Sequence, residues 1–252
     1  MQVQDCRIIV EDERFLVVLK PAGLPTVPLA KDPLANTLLT QLRPKYPEIS
    51  QNAGLHAHEG LVLHRLDTDT CGLVLVARDI DAYHALQASQ RAGTFSKRYI
   101  AAVADTERLE GFPTPPSNEM VKMPQTITSM FRPYGVGRRA VRPVTTDSQE
   151  HIKKKSSQVH YTTEVRTCGI NDEGHTIICC ELTKGYRHQV RCHLAWLGQS
   201  IVGDTVYGGL ASDTLHLAAV ALTFKHPQED YLVHVIWDDA PAWTHNREVT
   251  DE

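Results

Sequence analysis

The sequence predicts an α+β fold, built on a long mixed sheet that is largely antiparallel and flanked by helices and loops. Three observations lead to this prediction. Segments rich in valine, isoleucine and threonine dominate the chain, they occur in neighbouring pairs, and helical segments are few. Strands that alternate regularly with helices would instead indicate parallel βαβ units. We expect a single domain over residues 1–252.

Eight segments are predicted as strands because they are β-branched or alternate between apolar and polar residues. In chain order they are 7–10, 15–19, 72–77, 97–104, 158–166, 176–182, 215–224 and 231–237. The first two flank a turn-like run of charged residues, EDER, which indicates a hairpin.

Three segments are predicted as helices, namely 36–43, 80–91 and 187–197. The first opens at Asn36 and Asp79 precedes the second as its N-cap, because such side chains accept hydrogen bonds from the first helical turn. The first helix ends near Pro44, the second ends before Gly93, and the third stops at Gly198 as its C-cap residue.

The composition excludes several classes of protein. The chain has 252 residues, of which 42% are hydrophobic and 22% are charged, as is typical of a globular protein. No apolar run approaches the ~20 residues of a membrane-spanning helix, and the N-terminus has no secretion signal. The six cysteines form no C-x-x-C pair and are expected to be reduced thiols. These features predict a cytoplasmic protein.

The net charge of −4 argues against a nucleic-acid binder, but the charges are unevenly distributed. Residues 131–157 include seven basic and two acidic residues, a net +5, whereas residues 226–252 include one basic and seven acidic residues, a net −6. We expect a basic insertion over about 131–157 within a loose, proline-rich segment, 105–157, and an acidic tail over about 228–252. The insertion is either a solvated loop or a mobile arm that binds a polyanion.

A polar run, HRLDTDTCG, lies between apolar segments. Asp67 follows Arg65 by two residues, and a carboxylate beside a fixed cation stays ionised and oriented. Such a carboxylate suits a nucleophile or a charge stabiliser. Asp67 and Asp69 also match the D-x-D loop of magnesium-dependent phosphotransferases of the haloacid-dehalogenase type, in which the first aspartate is the nucleophile.

A second polar cluster has the sequence TKGYRHQVRCHL. Arg187 and Arg191 would share one face of the predicted helix. Lys184 and Arg187 would lie near its start, where the helix dipole disfavours cations, so an anionic ligand is expected nearby. His188 and His193 are five residues apart, which is a poor spacing for two metal ligands on one helical face, and no metal site is predicted.

Two cations, Lys97 and Arg98, precede Tyr99 at the start of a predicted strand. A tyrosine beside cations is a candidate to stack on a nucleic-acid base while the cations bind phosphate. The alternative is an ordinary tyrosine of the hydrophobic core.

Six segments resemble the motifs of RNA pseudouridine synthases of the RluA type, and they follow one another along the chain in the family's order. The most specific is HRLDTDTCGLVLVAR, which is similar to the family's H-R-L-D-x-x-T-S-G-L-x-x-x-A-K. The others are VLKPAGLP, KRYIA, HQVRCHLA, IVGDTVYG, and LHL together with FKHP. Because they extend over residues 17–227, the resemblance implies the catalytic fold of this family, without the N-terminal S4 domain that many relatives carry.

The resemblance also implies a reaction: isomerisation of uridine to pseudouridine in structured RNA, either ribosomal or transfer RNA, with no cofactor and no metal. Asp67 would attack the nucleoside, and Arg191 would pair with it. Tyr99 would pack on the uracil and take the C5 proton, and Arg65 would fill the space left by the flipped nucleotide. Further RNA contacts are expected from Lys97, Arg98, Arg187, His188, Lys153, Lys154 and Lys155.

Three departures from the family pattern are present. Leu19 replaces the usual asparagine, Cys71 replaces serine, and the arginine of the family's T-G-R-T segment is displaced within residues 184–187. The displaced arginine leaves open a third interpretation, an RNA-binding protein that has lost catalysis. Because Asp67 and Arg191 are intact, we expect an active enzyme, and a monomer.

Overall fold

The computed structural model of the protein describes residues 5–51, 57–115 and 125–245. The chain forms two compact units. The first comprises Met1–Lys97 and Ala218–Ala240, and the second comprises Arg98–Leu217 and Pro241–Glu252. Within the described residues, no helix combines the length and the apolar character that crossing a membrane requires.

Among its described residues, the first unit contains five strands and two α-helices. In chain order they are β1 (Arg7–Glu11), β2 (Phe15–Lys20), α1 (Leu38–Leu42), β3 (Cys71–Ala77), α2 (Ile80–Ala92), β10 (Leu217–Lys225, whose first residue belongs to the second unit) and β11 (Leu232–Ile236). β1, β2 and β3 pair antiparallel in that order, β3 pairs in parallel with β10, and β10 pairs antiparallel with β11.

The core of the first unit lies where β2, β3 and α2 meet. Phe15, Leu73 and Leu75 are buried against Leu86 of α2 and Phe224 of β10. Removing these apolar side chains from water is the main stabilising contribution to such a core. The layer of side chains supports the segment between α1 and β3, which carries the H-R-L-D sequence.

Local capping accounts for both helices of this unit. Asp79 caps α2 as predicted, because its side chain accepts a hydrogen bond of 2.9 Å from the backbone N–H of Ala82. α1 differs from the prediction, since its N-cap is Thr37 rather than Asn36. Thr37 accepts from the N–H of Thr40, and the Thr40 hydroxyl accepts from the Thr37 N–H, so the two residues form a reciprocal capping box.

In the part of the chain that the structure describes, the second unit contains six strands and two α-helices. In chain order they are β4 (Ser96–Asp105, whose first two residues belong to the first unit), β5 (Gln125–Tyr134), β6 (Ala140–Val144), α3 (Glu150–Lys153), β7 (Tyr161–Ile170), β8 (Thr176–Leu182), α4 (Gln189–Trp196) and β9 (Gln199–Ile201). β4 pairs antiparallel with β9, and β8, β7, β5 and β6 are successive antiparallel neighbours. Few helices and mostly antiparallel strand pairs confirm the predicted α+β class.

The prediction of a loose segment over 105–157 is wrong for much of its length, because β5 and β6 form a hairpin there. Phe131 is fully buried in β5 and lies opposite Pro143, which has no N–H to donate. The backbone of Phe131 pairs with Ser157 instead: its N–H donates to the Ser157 hydroxyl at 3.2 Å, and its carbonyl accepts from the Ser157 N–H at 2.8 Å. Residues 116–124 of this segment, and residues 246–252 of the predicted acidic tail, lie outside the described residues.

Candidate active site

Asp67 lies in the loop that precedes β3, and its side chain is half-buried. The backbone N–H of Thr70 donates to the carbonyl of Asp67 at 3.1 Å, which closes a tight turn. Before the turn, the Thr26 hydroxyl donates to the carbonyl of Leu66 at 2.9 Å and accepts from its N–H at 3.1 Å. Hydrogen bonds on both sides of Asp67 therefore fix its backbone.

Gly72 follows this loop at the point where β3 meets β10. Its φ is +127°, and a Cβ added at this position would overlap the backbone of Ala219 in β10. Glycine is the residue that tolerates both the backbone angle and the close approach. The glycine of the motif is therefore needed for a steric reason: a larger residue at position 72 would disturb the start of β3, directly after the Asp67 loop.

Lys20, the last residue of β2, is fully buried and ties the loop together. Its ammonium donates to the carbonyl oxygens of Leu24 at 2.6 Å, of Thr68 at 2.9 Å and of Pro21 at 2.9 Å. Burial lowers the pKa of Lys20 to about 8, although neighbouring acidic groups, Asp67 among them, favour the charged form. Lys20 belongs to the motif VLKPAGLP, but the sequence pattern predicted no role for it. The structure identifies Lys20 as the buried residue that holds the Asp67 loop in place.

We expect the free energy of unfolding of the wild type to rise, relative to that of Lys20→Met, as the pH increases from about 8 to about 10. The pKa of Lys20 is lower in the folded state, about 8, than its ordinary value of 10.5. In this interval the unfolded state binds more protons, so raising the pH favours the folded state. Urea unfolding at a series of pH values measures this difference. The exposed Lys225→Met is the matched control, and a difference between wild type and Lys20→Met that stays constant with pH would contradict the expectation.

His64 and Arg65 precede Asp67 and have different surroundings. The ring Nε2 of His64 accepts a hydrogen bond of 3.2 Å from the N–H of Leu75 in β3, and burial holds the pKa of His64 well below its usual value. His64 is therefore a neutral support of the loop. Arg65 is exposed and pairs with Glu59 at 2.7 Å. The entry of Arg65 into the space of a flipped nucleotide, which the sequence motif predicts, would require this ion pair to open.

Arg191, on α4 of the second unit, forms a buried ion pair with Asp204. Its Nε donates to Oδ2 at 2.7 Å and its Nη2 donates to Oδ1 at 2.8 Å, while the two residues are only 6% and 1% exposed. Oδ1 also accepts the backbone N–H groups of Val206 and Tyr207 at 3.0 and 3.2 Å. A bidentate pair of this kind fixes the plane of the guanidinium. The pairing of Arg191 with Asp67 stays a prediction. The role of Asp204 as a partner of Arg191 was not predicted, although its segment, GDTVYG, belongs to one of the motifs.

Tyr207 joins the Arg191 pair to the neighbouring backbone. The guanidinium lies 5.5 Å from the centre of the Tyr207 ring. The Tyr207 hydroxyl accepts from the N–H of Val141 at 2.9 Å, lies 3.2 Å from the carbonyl of the same residue, and lies 3.2 Å from Nδ1 of His188. Arg191 is thus surrounded by groups that are themselves held in position.

α4 begins at Gln189, two residues later than predicted, because His188 adopts a left-handed conformation with φ +57°. The expectation that Arg187 and Arg191 share a helix face is therefore wrong. Arg187 is exposed, and its Nη2 donates to the carbonyls of Arg138 at 2.7 Å and Ala140 at 3.0 Å. It fastens the turn between β5 and β6.

The three residues predicted at the start of β4 have distinct environments. Tyr99 is buried, and Arg98 is half-buried and pairs with Glu181 at 3.6 Å. Lys97 is only 5% exposed, its ammonium lies 5.3 Å from the centre of the Phe95 ring, and burial lowers its pKa to about 8. A direct contact of Lys97 with RNA phosphate does not fit this burial.

The lysines 153–155 lie at and after the end of α3. Lys153 pairs with Glu150 at 3.0 Å, whereas Lys154 and Lys155 are exposed. Two of the three ammonium groups are therefore presented to solvent, where an anionic ligand has access to them.

Comparison with known proteins gives a consistent result. The family model described as RNA pseudouridylate synthase matches residues 14–196. The chain is 30% identical over 238 residues to the uncharacterized RNA pseudouridine synthase YjbO of Bacillus subtilis, over 90% of this chain and 71% of that protein. It is 32% identical over 219 residues to the ribosomal large subunit pseudouridine synthase D of Pseudomonas aeruginosa, over 84% of this chain and 58% of that protein. The chain thus spans less than two thirds of the length of this second relative.

A solved structure supports the fold. The human RNA pseudouridylate synthase domain containing 1 superposes with a TM-score of 0.65 at 21% sequence identity. The match covers 95% of this chain and 85% of that one.

Proposed function

Because the chain belongs to the family of RNA pseudouridylate synthases, we propose that it converts specific uridines to pseudouridine in structured RNA. The observation that carries the proposal is the Asp67 loop, in which hydrogen bonds and the buried Lys20 hold a half-buried carboxylate within the H-R-L-D sequence. The substrate is ribosomal or transfer RNA. The protein acts in the cytoplasm as a monomer with a single catalytic domain over residues 1–252, and it needs no cofactor.

The proposed reaction is an isomerisation in which no atoms are gained or lost. The bond between N1 of uracil and C1′ of ribose breaks, the base rotates, and a bond forms between C5 and C1′. The proton leaves C5, and N1 ends with a proton, so no oxidant or reductant is consumed. The target base must leave its stack before any of these steps, because a stacked base is inaccessible to the carboxylate.

The residues have distinct roles in this proposal. Asp67 is the catalytic carboxylate that attacks the nucleoside, and Tyr99 packs on the uracil and takes the C5 proton. Arg191 is the cation that keeps the carboxylate ionised and oriented. Arg65 fills the space of the flipped nucleotide, and RNA is further held by Arg98, Arg187, His188, Lys153, Lys154 and Lys155.

Release of tritium from RNA that carries C5-labelled uridine tests the proposed activity. Total RNA from a strain that lacks this gene is the substrate, because its target uridines remain unmodified. RNA binding without tritium release would favour the catalytically inactive alternative. Phosphate release that a chelator abolishes would favour the magnesium-dependent phosphotransferase, which none of the reported relatives supports.

We expect replacement of the lysines 153–155 by glutamine to weaken RNA binding and to reduce its dependence on salt. Each phosphate contact adds about 0.7–0.9 to the slope of log K against log salt concentration. Two of the three ammonium groups are exposed, so the slope should become shallower by about 1.5. Binding titrations between low and moderate salt measure this slope.

A triple variant with the same change of charge serves as the control for the lysine segment. Arg7, Lys45 and Lys225 are exposed, and each pairs with a carboxylate. Their replacement by glutamine should leave the slope at its wild-type value. Equal slopes for all three proteins would show that residues 153–155 form a solvated loop without a role in RNA binding.

A further inference from the structure

Three side chains with metal-ligating atoms converge in the second unit, at the turn between β7 and β8. Glu173, His175 and His216 each offer one ligand atom, and these atoms all lie within 4.8 Å of one another. Nδ1 of His175 lies 3.3 Å from Oε2 of Glu173. None of these residues belongs to the set to which the proposed isomerisation gives a role.

His216 is the buried member of this group, with 6% of its surface exposed. Its Nε2 lies 3.2 Å from the hydroxyl of Ser212, whereas its Nδ1 is buried and has no hydrogen-bond partner within the described part of the chain. An Nε2–H that donates to Ser212 leaves the lone pair of Nδ1 available to a cation.

The position of His216 is fixed from three sides. Its backbone N–H donates to the carbonyl of Val202 at 2.9 Å, and its carbonyl accepts from the N–H of Ala102 at 3.1 Å. The Trp243 ring stacks on the imidazole, with ring centres 4.9 Å apart and ring planes inclined by 7°. The imidazole is therefore held rigidly before any ion binds.

The turn that carries the other two side chains is also fixed. Asn171 is buried, and its side-chain carbonyl accepts the backbone N–H groups of Glu173 at 3.1 Å and His175 at 2.9 Å. Its side-chain amide donates to the carbonyl of Trp243 at 3.4 Å. The same small network thus positions the turn and the aromatic ring that covers His216.

We propose that Glu173, His175 and His216 bind a divalent transition-metal ion, with Zn²⁺ as the ion whose preferences they match. Two imidazoles and one carboxylate form a common zinc ligand set, whereas Mg²⁺ and Ca²⁺ prefer oxygen ligands alone. Around a tetrahedral zinc ion with bonds of about 2.0–2.2 Å, ligand atoms lie about 3.3–3.5 Å apart. The pair Glu173–His175 already has this separation, and the third ligand atom needs to approach by no more than about 1.5 Å.

The proposed ion would link the β7–β8 turn to the segment that leads into β10. Three protein ligands leave the fourth tetrahedral position to water. The ion would also provide a partner for Nδ1 of His216, which has no hydrogen-bond partner within the described residues. Metal binding at this site needs no RNA, so it can be tested independently of the proposed isomerisation.

Metal titration of the untagged, chelator-treated protein tests the site. We expect one equivalent of Zn²⁺ to bind and to raise the melting temperature, as measured by calorimetry and by thermal unfolding. Co²⁺ should give the visible absorption of a tetrahedral nitrogen and oxygen site, and it should quench the fluorescence of Trp243. His175→Gln and Glu173→Gln should each weaken binding by about 10- to 100-fold or more.

Two exposed residues provide matched controls, His160→Gln and Glu164→Gln, and both should bind metal like the wild type. Thiols are the rival ligands, since Cys168 contacts Cys179 across β7 and β8. Binding that survives His175→Gln but disappears in Cys168→Ser would assign the ion to the thiols and overturn the proposal. Absence of saturable binding by the folded wild type would overturn it as well, as would unchanged affinity in both ligand variants.

Discussion

Asp67→Asn should abolish pseudouridine formation, with kcat lowered by at least about 10³-fold. The asparagine amide is uncharged and a poor nucleophile, whereas the proposed reaction requires an ionised carboxylate. The hydrogen bonds from Lys20 to the carbonyl of Thr68 and from Thr26 to the carbonyl of Leu66 use backbone groups, which the substitution leaves in place, and asparagine is nearly isosteric with aspartate. The variant should therefore fold and retain affinity for RNA. Tritium release under single-turnover conditions measures the loss.

Asp69→Asn is the matched control, because Asp69 is an exposed aspartate in the same loop. It should release tritium at a rate close to that of the wild type. A variant at Asp67 that remains as active as the control would remove Asp67 from the catalytic role. A wild type that releases no tritium, but releases phosphate in a Mg²⁺-dependent reaction that both variants abolish, would instead fit a phosphotransferase that uses both carboxylates.

Asp204→Ala should lower the free energy of unfolding by about 3–5 kcal/mol, which is the usual cost of removing one member of a buried ion pair. The substitution deletes a bidentate contact with Arg191 and the acceptor of two backbone N–H groups. Activity should fall as well, since Arg191 would no longer be held in one orientation. Urea unfolding and tritium release measure the two effects.

An exposed aspartate tests whether burial is the cause of this loss. Asp230 pairs with Lys225 at 2.7 Å on the surface of the first unit, and exposed pairs contribute little to stability. Asp230→Ala should leave the unfolding midpoint near that of the wild type. Equal midpoints for Asp204→Ala and Asp230→Ala would contradict the assignment of Asp204 as the buried partner of Arg191.

Strands and helices with strong local signals agree with the sequence prediction. β8 has the predicted bounds, and α2 starts after its predicted cap, because alternation and capping are properties of short segments. The β5–β6 hairpin was missed because the prolines indicated a loop, and the hydrogen bonds that accommodate Pro143 come from Ser157, fourteen residues later. The start of α4 was misplaced because a contact with Tyr207 accompanies the unusual conformation of His188.

The candidate site was predictable where function requires a fixed residue order. Asp67 belongs to such a motif, and the family comparison agrees with the motif. The importance of Lys20 and Asp204 depends on burial and on partners distant in sequence, which a spacing pattern does not contain. The proposed metal ligands show the same limit, because His216 lies about forty residues beyond the Glu173 turn in the sequence.

Arg187 fastens the β5–β6 turn through backbone carbonyls alone. Carbonyl groups are present whatever side chains the turn carries, so its exposed side chains can change without loss of these hydrogen bonds. Gly135 and Gly137 are the exceptions, because their positive φ angles of +77° and +65° favour glycine. Val136, at the tip, is almost completely exposed and is under no packing constraint. The exposed side chains of the turn are thus suited to evolutionary diversification, while one arginine outside the turn keeps its backbone in place.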